Sequence, residues 1–192
     1  MPGPTATSAA REILTRLHDV MASRTGAQAK LNRVVNIIGE ALASEVCSIY
    51  LLRDGCLELF ATRGLKQEAV HVTKLALGEG LVGTIAERVE TLNLDEATSH
   101  RDFAYKPETG EELYHSFAGV PIVRRERAVG VLAVQHSDPR RYADIEIEAL
   151  QTVAMVLAEL IAGAGLIDES SAASAVSPLS IDSLIRRLQP SS

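Results

Sequence analysis

An α+β fold, an antiparallel sheet of about six strands flanked by N- and C-terminal helices, is what this 192-residue sequence predicts. Apolar stripes at helical spacing run from Ile13 to Met21 and from Leu31 to Leu42, and a third runs from Leu150 to Leu160. Between them, β-branched runs come in pairs joined by short turns, most clearly from Ser116 to Ser137 around Arg124 to Arg127. The long crossovers that parallel strands need are mostly missing, which argues against a doubly wound sheet.

The elements follow in order. Ile13, Leu14, Leu17, Val20 and Met21 share one face of a first helix that ends near Gly26. Leu31, Val34, Val35, Ile38 and Leu42 form the stripe of a second, expected to lie on the sheet. Val46 to Leu52 and Cys56 to Thr62, joined through Arg53-Asp54-Gly55, form a hairpin, because Asp-Gly suits a turn with positive φ at both central residues. Val70 to Leu77 reads as a third strand. Gly78-Glu79-Gly80 opens a short helix, Leu81 to Arg88, and Thr91 to Leu94 is a brief strand. A long polar connection from Asp95 to Thr109 has the length of a binding loop. In the last helix Asp144, Glu146 and Glu148 sit at the positive end, and Leu150, Val153, Leu157 and Leu160 form a seam like that of a coiled coil.

Composition narrows the function classes. With 46% apolar residues the chain can bury a real core. A net charge of −6 argues against nucleic acid, which needs clustered Lys and Arg. The apolar stretch from Val153 to Ile167 is broken by Glu159, Gly163 and Gly165 and falls short of the ~20 residues of a membrane span. Cys47 and Cys56 suggest no disulfide framework, and the start, MPGPTATSAARE, carries no secretory pattern, so a reduced cytoplasmic setting is expected. His18, His71, His100, His115 and His136 have no ligand spacing, so no metal site is expected. Gly78-Glu79-Gly80 lacks both the dinucleotide and the P-loop spacing and is read as backbone geometry; no cofactor is expected.

The paired helices, the hairpin opening on Glu45-Val46-Cys47-Ser48-Ile49-Tyr50-Leu51-Leu52, the Gly78-Glu79-Gly80-Leu81-Val82-Gly83 turn and the closing hairpin with Gly119-Val120-Pro121-Ile122 and Gly130-Val131-Leu132 resemble a GAF domain. Together with Ala61 to Leu65 and Asn93 to Tyr105, these motifs resemble the N-terminal regulatory domain of the nitrogen-related phosphoenolpyruvate-protein phosphotransferases, the enzyme I paralogues. The resemblance divides the chain into a disordered leader (1–7), a sensory domain (8–168) and a flexible linker with an unassigned tail (169–192). It implies a non-catalytic regulatory domain that binds glutamine, reports nitrogen status and lowers autophosphorylation of the attached enzyme. The phosphotransfer domains of that enzyme are the implied partners.

A glutamine zwitterion needs an acceptor for its ammonium, donors for its carboxylate and both kinds of group for its amide. Asp95 could meet the ammonium, or be a turn aspartate; Arg63 could pair with the carboxylate, or be an exposed strand-end arginine. Strand alternation sends Ser48 and Tyr50 to one face and Cys47, Ile49 and Leu51 to the other, so Ser48 and Tyr50 could meet a ligand or be satisfied within the protein. Gln135 shares a face with Ala133 and Val131, where small residues leave space, although it could also be a fraying strand end. Asn93, His100, Phe103, Tyr105, Tyr114 and Ser116 could supply lid and wall. Arg124, Arg125 and Arg127 could dock an acidic domain but are read first as a solvated turn.

Three other readings compete. A free methionine sulfoxide reductase would need attacking and resolving thiols from Cys47 and Cys56, and a cyclic-nucleotide site has no residue here that singles it out. A dimerisation scaffold would use the Leu150 to Leu160 seam with the Ile13, Leu17, Val20 stripe, and a homodimer through the terminal helices is expected on the leading reading as well.

Overall fold

The computed structural model describes residues 5–104 and 114–167. Two helices open it: α1, Ala6–Ala22, and α2, Ala27–Ala41. The Thr5 hydroxyl accepts the Ser8 N–H at 3.3 Å and so caps α1, which begins inside the stretch read as a leader. Six strands and two more helices follow: β1 Val46–Arg53, β2 Cys56–Arg63, β3 Lys74–Ala76, α3 Gly80–Arg88, β4 Leu92–Leu94, β5 Ser116–Arg124, β6 Arg127–His136 and α4 Asp144–Gly163. The sheet order is β3-β2-β1-β6-β5-β4, and every pairing is antiparallel. The expected α+β architecture of six strands between terminal helices is the one observed.

Alternation along the strands makes two cores. Cys47, Ile49, Leu51, Val120, Ile122, Leu132 and Val134 face α1, α2 and α4, whereas Val46, Tyr50, Leu57, Leu59, Phe117, Val131 and Ala133 face α3 and the loops around it. The first core is the larger and carries the three long helices, so it is the scaffold; the second is built of shorter pieces.

The β1–β2 turn has positive φ at Asp54 (49°) and Gly55 (77°), as its residues predict. The β5–β6 turn uses the same left-handed region at Arg125 (51°) and Glu126 (64°), where neither residue relieves the steric cost of about 1–2 kcal/mol each. Its geometry is imposed by the ladder on either side rather than by turn propensity.

Two expectations are corrected. The strand expected over Val70 to Leu77 shrinks to Lys74–Ala76. A 3-10 turn at Gln67–Ala69 and a left-handed His71 (φ 64°) bend the chain before it, and Val72 is 68% exposed. The Leu150, Val153, Leu157 stripe does not face another chain, because all three side chains are fully buried in this chain's own core, as are Ile13 and Val20. The outward face of α4 carries Asp144, Ile145, Glu148, Gln151, Thr152, Met155 and Glu159 instead.

Candidate functional site

On the α3 side of the sheet lies a small cavity lined by Leu75, Gly80, Leu81, Val82, Phe103, Ala104, Phe117 and Gln135. Its volume, about 20 Å³, is room for about one water molecule. The sheet supplies its floor: Phe117 on β5 pairs with Gln135 on β6, and β3 brings Leu75. The start of α3 forms one wall, and Phe103 and Ala104 cover it from the loop after β4. Gly80 permits this closeness, since its φ is +66° and a side-chain carbon added there would lie 3.3 Å from the Ala104 Cβ.

Of the residues expected at a ligand, Gln135 lines the cavity, and the residue is only 6% exposed. Tyr50 and Ala133 belong to the same apolar cluster as the cavity wall, and Tyr114 packs against that cluster. Burial pushes the Tyr114 hydroxyl above its ordinary pKa, with the charge of Glu45 adding to the effect. Ser48 lies on this face but is already partnered, its hydroxyl 2.8 Å from that of Thr62. Ser116 is fully buried at the start of β5 but lies outside the cavity lining, on the face of Ala118 and Val120 opposite Phe117, and its hydroxyl donates a long bond, 3.4 Å, to the His136 carbonyl.

The other candidates are not brought to the cavity. Arg63 projects toward the helices: its guanidinium donates to the Ser44 carbonyl at 2.8 Å and packs over Gly39 of α2. It pairs with Cys47, so alternation places it across the sheet from Gln135. Asn93 is also turned away, its carboxamide bonded to both backbone polar groups of Tyr142. Asp95 is exposed beyond β4. Tyr105 lies outside the described residues.

His100 and Asp102 hold the cover in place. The Asp102 N–H donates to His100 Nδ1 at 3.2 Å, and the Asp102 carboxylate lies 3.8 Å from Arg88 of α3 and 3.6 Å from Arg101. Sequence reasoning found Gln135 and Phe103 but missed Leu75, Leu81, Val82 and Phe117. Leu81 and Val82 were legible as the first turn of a helix, but nothing in their identity tells which way the start of that helix points.

Cys47 is fully buried, and its thiol is pushed far up by burial, with Arg63 opposing only in part, so it is held as an unreactive thiol. Among the described residues no group of three or more His, Cys, Asp or Glu side chains could hold a metal ion, and no helix is long and apolar enough to cross a membrane. A larger groove of about 230 Å³ between α1 and α2 is lined by Arg16, Asp19, Arg33, Asn36 and Ile37, but Arg16 is already engaged by Glu12 at 3.1 Å and Glu40 at 2.9 Å. It lies open at the surface, whereas Gln135 is buried.

Comparison with known proteins agrees with this fold. A family model described as GAF domain matches residues 27–161. The phosphoenolpyruvate-dependent phosphotransferase system protein of Escherichia coli (strain K12) is 36% identical over 155 residues, which make up 78% of this chain and 21% of that protein. The chain thus spans about a fifth of the length of that curated relative. Among solved structures, the GAF domain from a phosphoenolpyruvate-protein phosphotransferase of Coxiella burnetii superposes with a TM-score of 0.79 at 33% identity, covering 85% of this chain and 98% of that one. The corresponding domain from Acinetobacter gives 0.72 at 32% identity, covering 85% and 97%.

Proposed function

We propose, from the premise that the chain belongs to the GAF domain family, that it is a small-molecule-sensing regulatory domain of a phosphoenolpyruvate-protein phosphotransferase. In this reading it binds glutamine in a cytoplasmic setting, reports nitrogen status and lowers autophosphorylation of the enzyme whose phosphotransfer domains are its partners. The observation that carries the reading is the cavity, an apolar enclosure of Leu75, Phe103 and Phe117 with a single buried carboxamide, Gln135, among its lining side chains. Apolar walls with few polar groups suit a small ligand with a methylene stem and a hydrogen-bonding end. A carboxamide both donates and accepts, which matches the primary amide or the carboxylate of glutamine. At about 20 Å³ the cavity admits such a ligand only when Phe103 and Ala104 draw back, so binding and movement of the cover are one event.

Self-association through the terminal helices belongs to the same reading. It uses their outward faces, where Leu14 (41% exposed) and Met155 (72% exposed) stand, since the inward stripes are filled. Calorimetric titration with millimolar glutamine tests the sensing role: saturable heat and a raised thermal midpoint are expected, and the absence of both rejects glutamine as the ligand. Light scattering tests the homodimer, which a monomer at all concentrations rules out.

A further inference from the structure

The cavity has a polar end formed by backbone. Gly80, Leu81 and Val82 line it, and their N–H groups precede the first bond of α3, which Gly83 N–H makes to the Glu79 carbonyl at 3.0 Å. These are the donors that a helix leaves without an internal partner. Glu79 holds the N-cap position, yet its side chain does not cap the helix; its carboxylate accepts from Ala76 N–H at 2.8 Å. The positive end of this nine-residue helix therefore opens on the cavity. On the same cavity stands Gln135, 6% exposed, whose carboxamide makes no hydrogen bond among the described residues. Its amide atoms are not sealed within the protein but keep accessible surface on the cavity they line, where an arriving polar group can bond them.

We propose that this end of the cavity is a carboxylate subsite. The N–H groups at the start of α3 and the Nε2–H of Gln135 donate to the two oxygens of a ligand carboxylate, while Leu75, Phe103 and Phe117 cover its apolar stem. The ligand class is a small carboxylic acid, free amino acids included. The subsite rests on the ligand-sensing reading and adds the direction in which the ligand lies: carboxylate toward α3, stem under the Phe103 cover.

The test has two arms. Titration of the protein with glutamine and with glutaminamide, in which a neutral amide replaces the carboxylate, is expected to show at least ~10-fold weaker binding of the second. Equal affinities overturn the subsite and leave sensing intact, whereas heat from neither rejects the glutamine reading. The other arm needs no ligand: Gln135→Glu places a carboxylate on the protein itself. The subsite predicts that the introduced carboxyl titrates at or below the ordinary value of about 4.3 by NMR and that the variant melts no lower at pH 7 than Gln135→Leu. A carboxyl pushed up by burial in a variant that melts below Gln135→Leu overturns the subsite, whichever ligand binds.

Discussion

Asn93 grips Tyr142 by both of its backbone polar groups: Nδ2 donates to the Tyr142 carbonyl at 2.8 Å, and Oδ1 accepts its N–H at 3.2 Å. Tyr142 stands just ahead of α4, and its buried hydroxyl lies 2.8 Å from that of Ser44, beyond the end of α2. Arg140 stacks 4.3 Å over the Tyr142 ring and donates to the Leu42 carbonyl at 2.9 Å. The entrance to α4 is thereby tied to the end of α2 on one side and to β4 on the other. The chain runs from β4 directly into the cavity cover, so Asn93, together with Thr91, whose hydroxyl accepts from Gln151 of α4 at 3.3 Å, joins the root of the cover to α4.

Asn93→Ala removes both bonds and leaves the peptide groups of Tyr142 without protein partners. A loss of about 2–3 kcal/mol is expected in urea denaturation. Asn93→Asp keeps the acceptor for Tyr142 N–H but turns an anion toward its carbonyl, so it is expected to destabilise as well. A loss below about 0.5 kcal/mol for Asn93→Ala would show that the grip is incidental.

Gly64 follows β2 with φ +93°, and a side-chain carbon there would lie 2.1 Å from the Glu45 carbonyl oxygen. Gly64→Ala must therefore displace the start of β1, at a cost above about 3 kcal/mol. The control is Gly163→Ala at the end of α4, where nothing lies within 4 Å; it is expected to gain about 0.5–1 kcal/mol. Thermal melts of the two variants should diverge in sign.

The Glu45 carboxylate accepts a short bond from the Ser137 hydroxyl and a second, at 3.3 Å, from the Ser137 N–H. These bonds, with the charge of His136 adding less, hold its pKa below the ordinary carboxylate range. A group depressed in the folded state stabilises it above the unfolded pKa, and that contribution fades as pH falls through the folded value. The parent should exceed Ser137→Ala in stability near pH 7, by less than about 1 kcal/mol because Glu45 is exposed, and the gap should close below about pH 4. A gap that widens with acid would refute the assignment.

Thiol labelling separates the two cysteines. Cys47 is fully buried and its thiol is pushed up by burial, whereas Cys56 is half-buried at the β1–β2 turn. In native buffer at pH 8, Cys56 should react first and Cys47 only at the rate of unfolding. Fast labelling of the Cys56→Ser variant would show that Cys47 is accessible after all.

The fold was legible because its determinants are periodic. The Leu31 to Leu42 stripe, the alternation around Ser48 and the Asp54-Gly55 turn each depend on neighbours in sequence, and each stands where it was read. The site was legible only in part, because its members meet through tertiary approach. Gln135 and Ala133 could be placed on a face by counting along β6. Arg63 could not, because its direction depends on a gap left by Gly39 on α2, and Asn93 looked like a binding residue because a backbone partner 49 positions away is invisible in sequence. The buried Leu150, Val153 and Leu157 show the same limit, since periodicity reveals that a stripe is covered without saying by which chain.

The sheet pairs β1 with β6 at its centre, although β3, α3, β4 and the cavity cover all lie between them in sequence. The α3 wall and the cover of the cavity are thus an insert within the middle of the scaffold, fastened at its base by the β1–β6 ladder, to which Gln135 itself belongs, and otherwise by short strands at the rim. Mutational drift can rewrite the insert while the three long helices and the central ladder continue to fold as before, so the wall and cover of the cavity can change without loss of the fold.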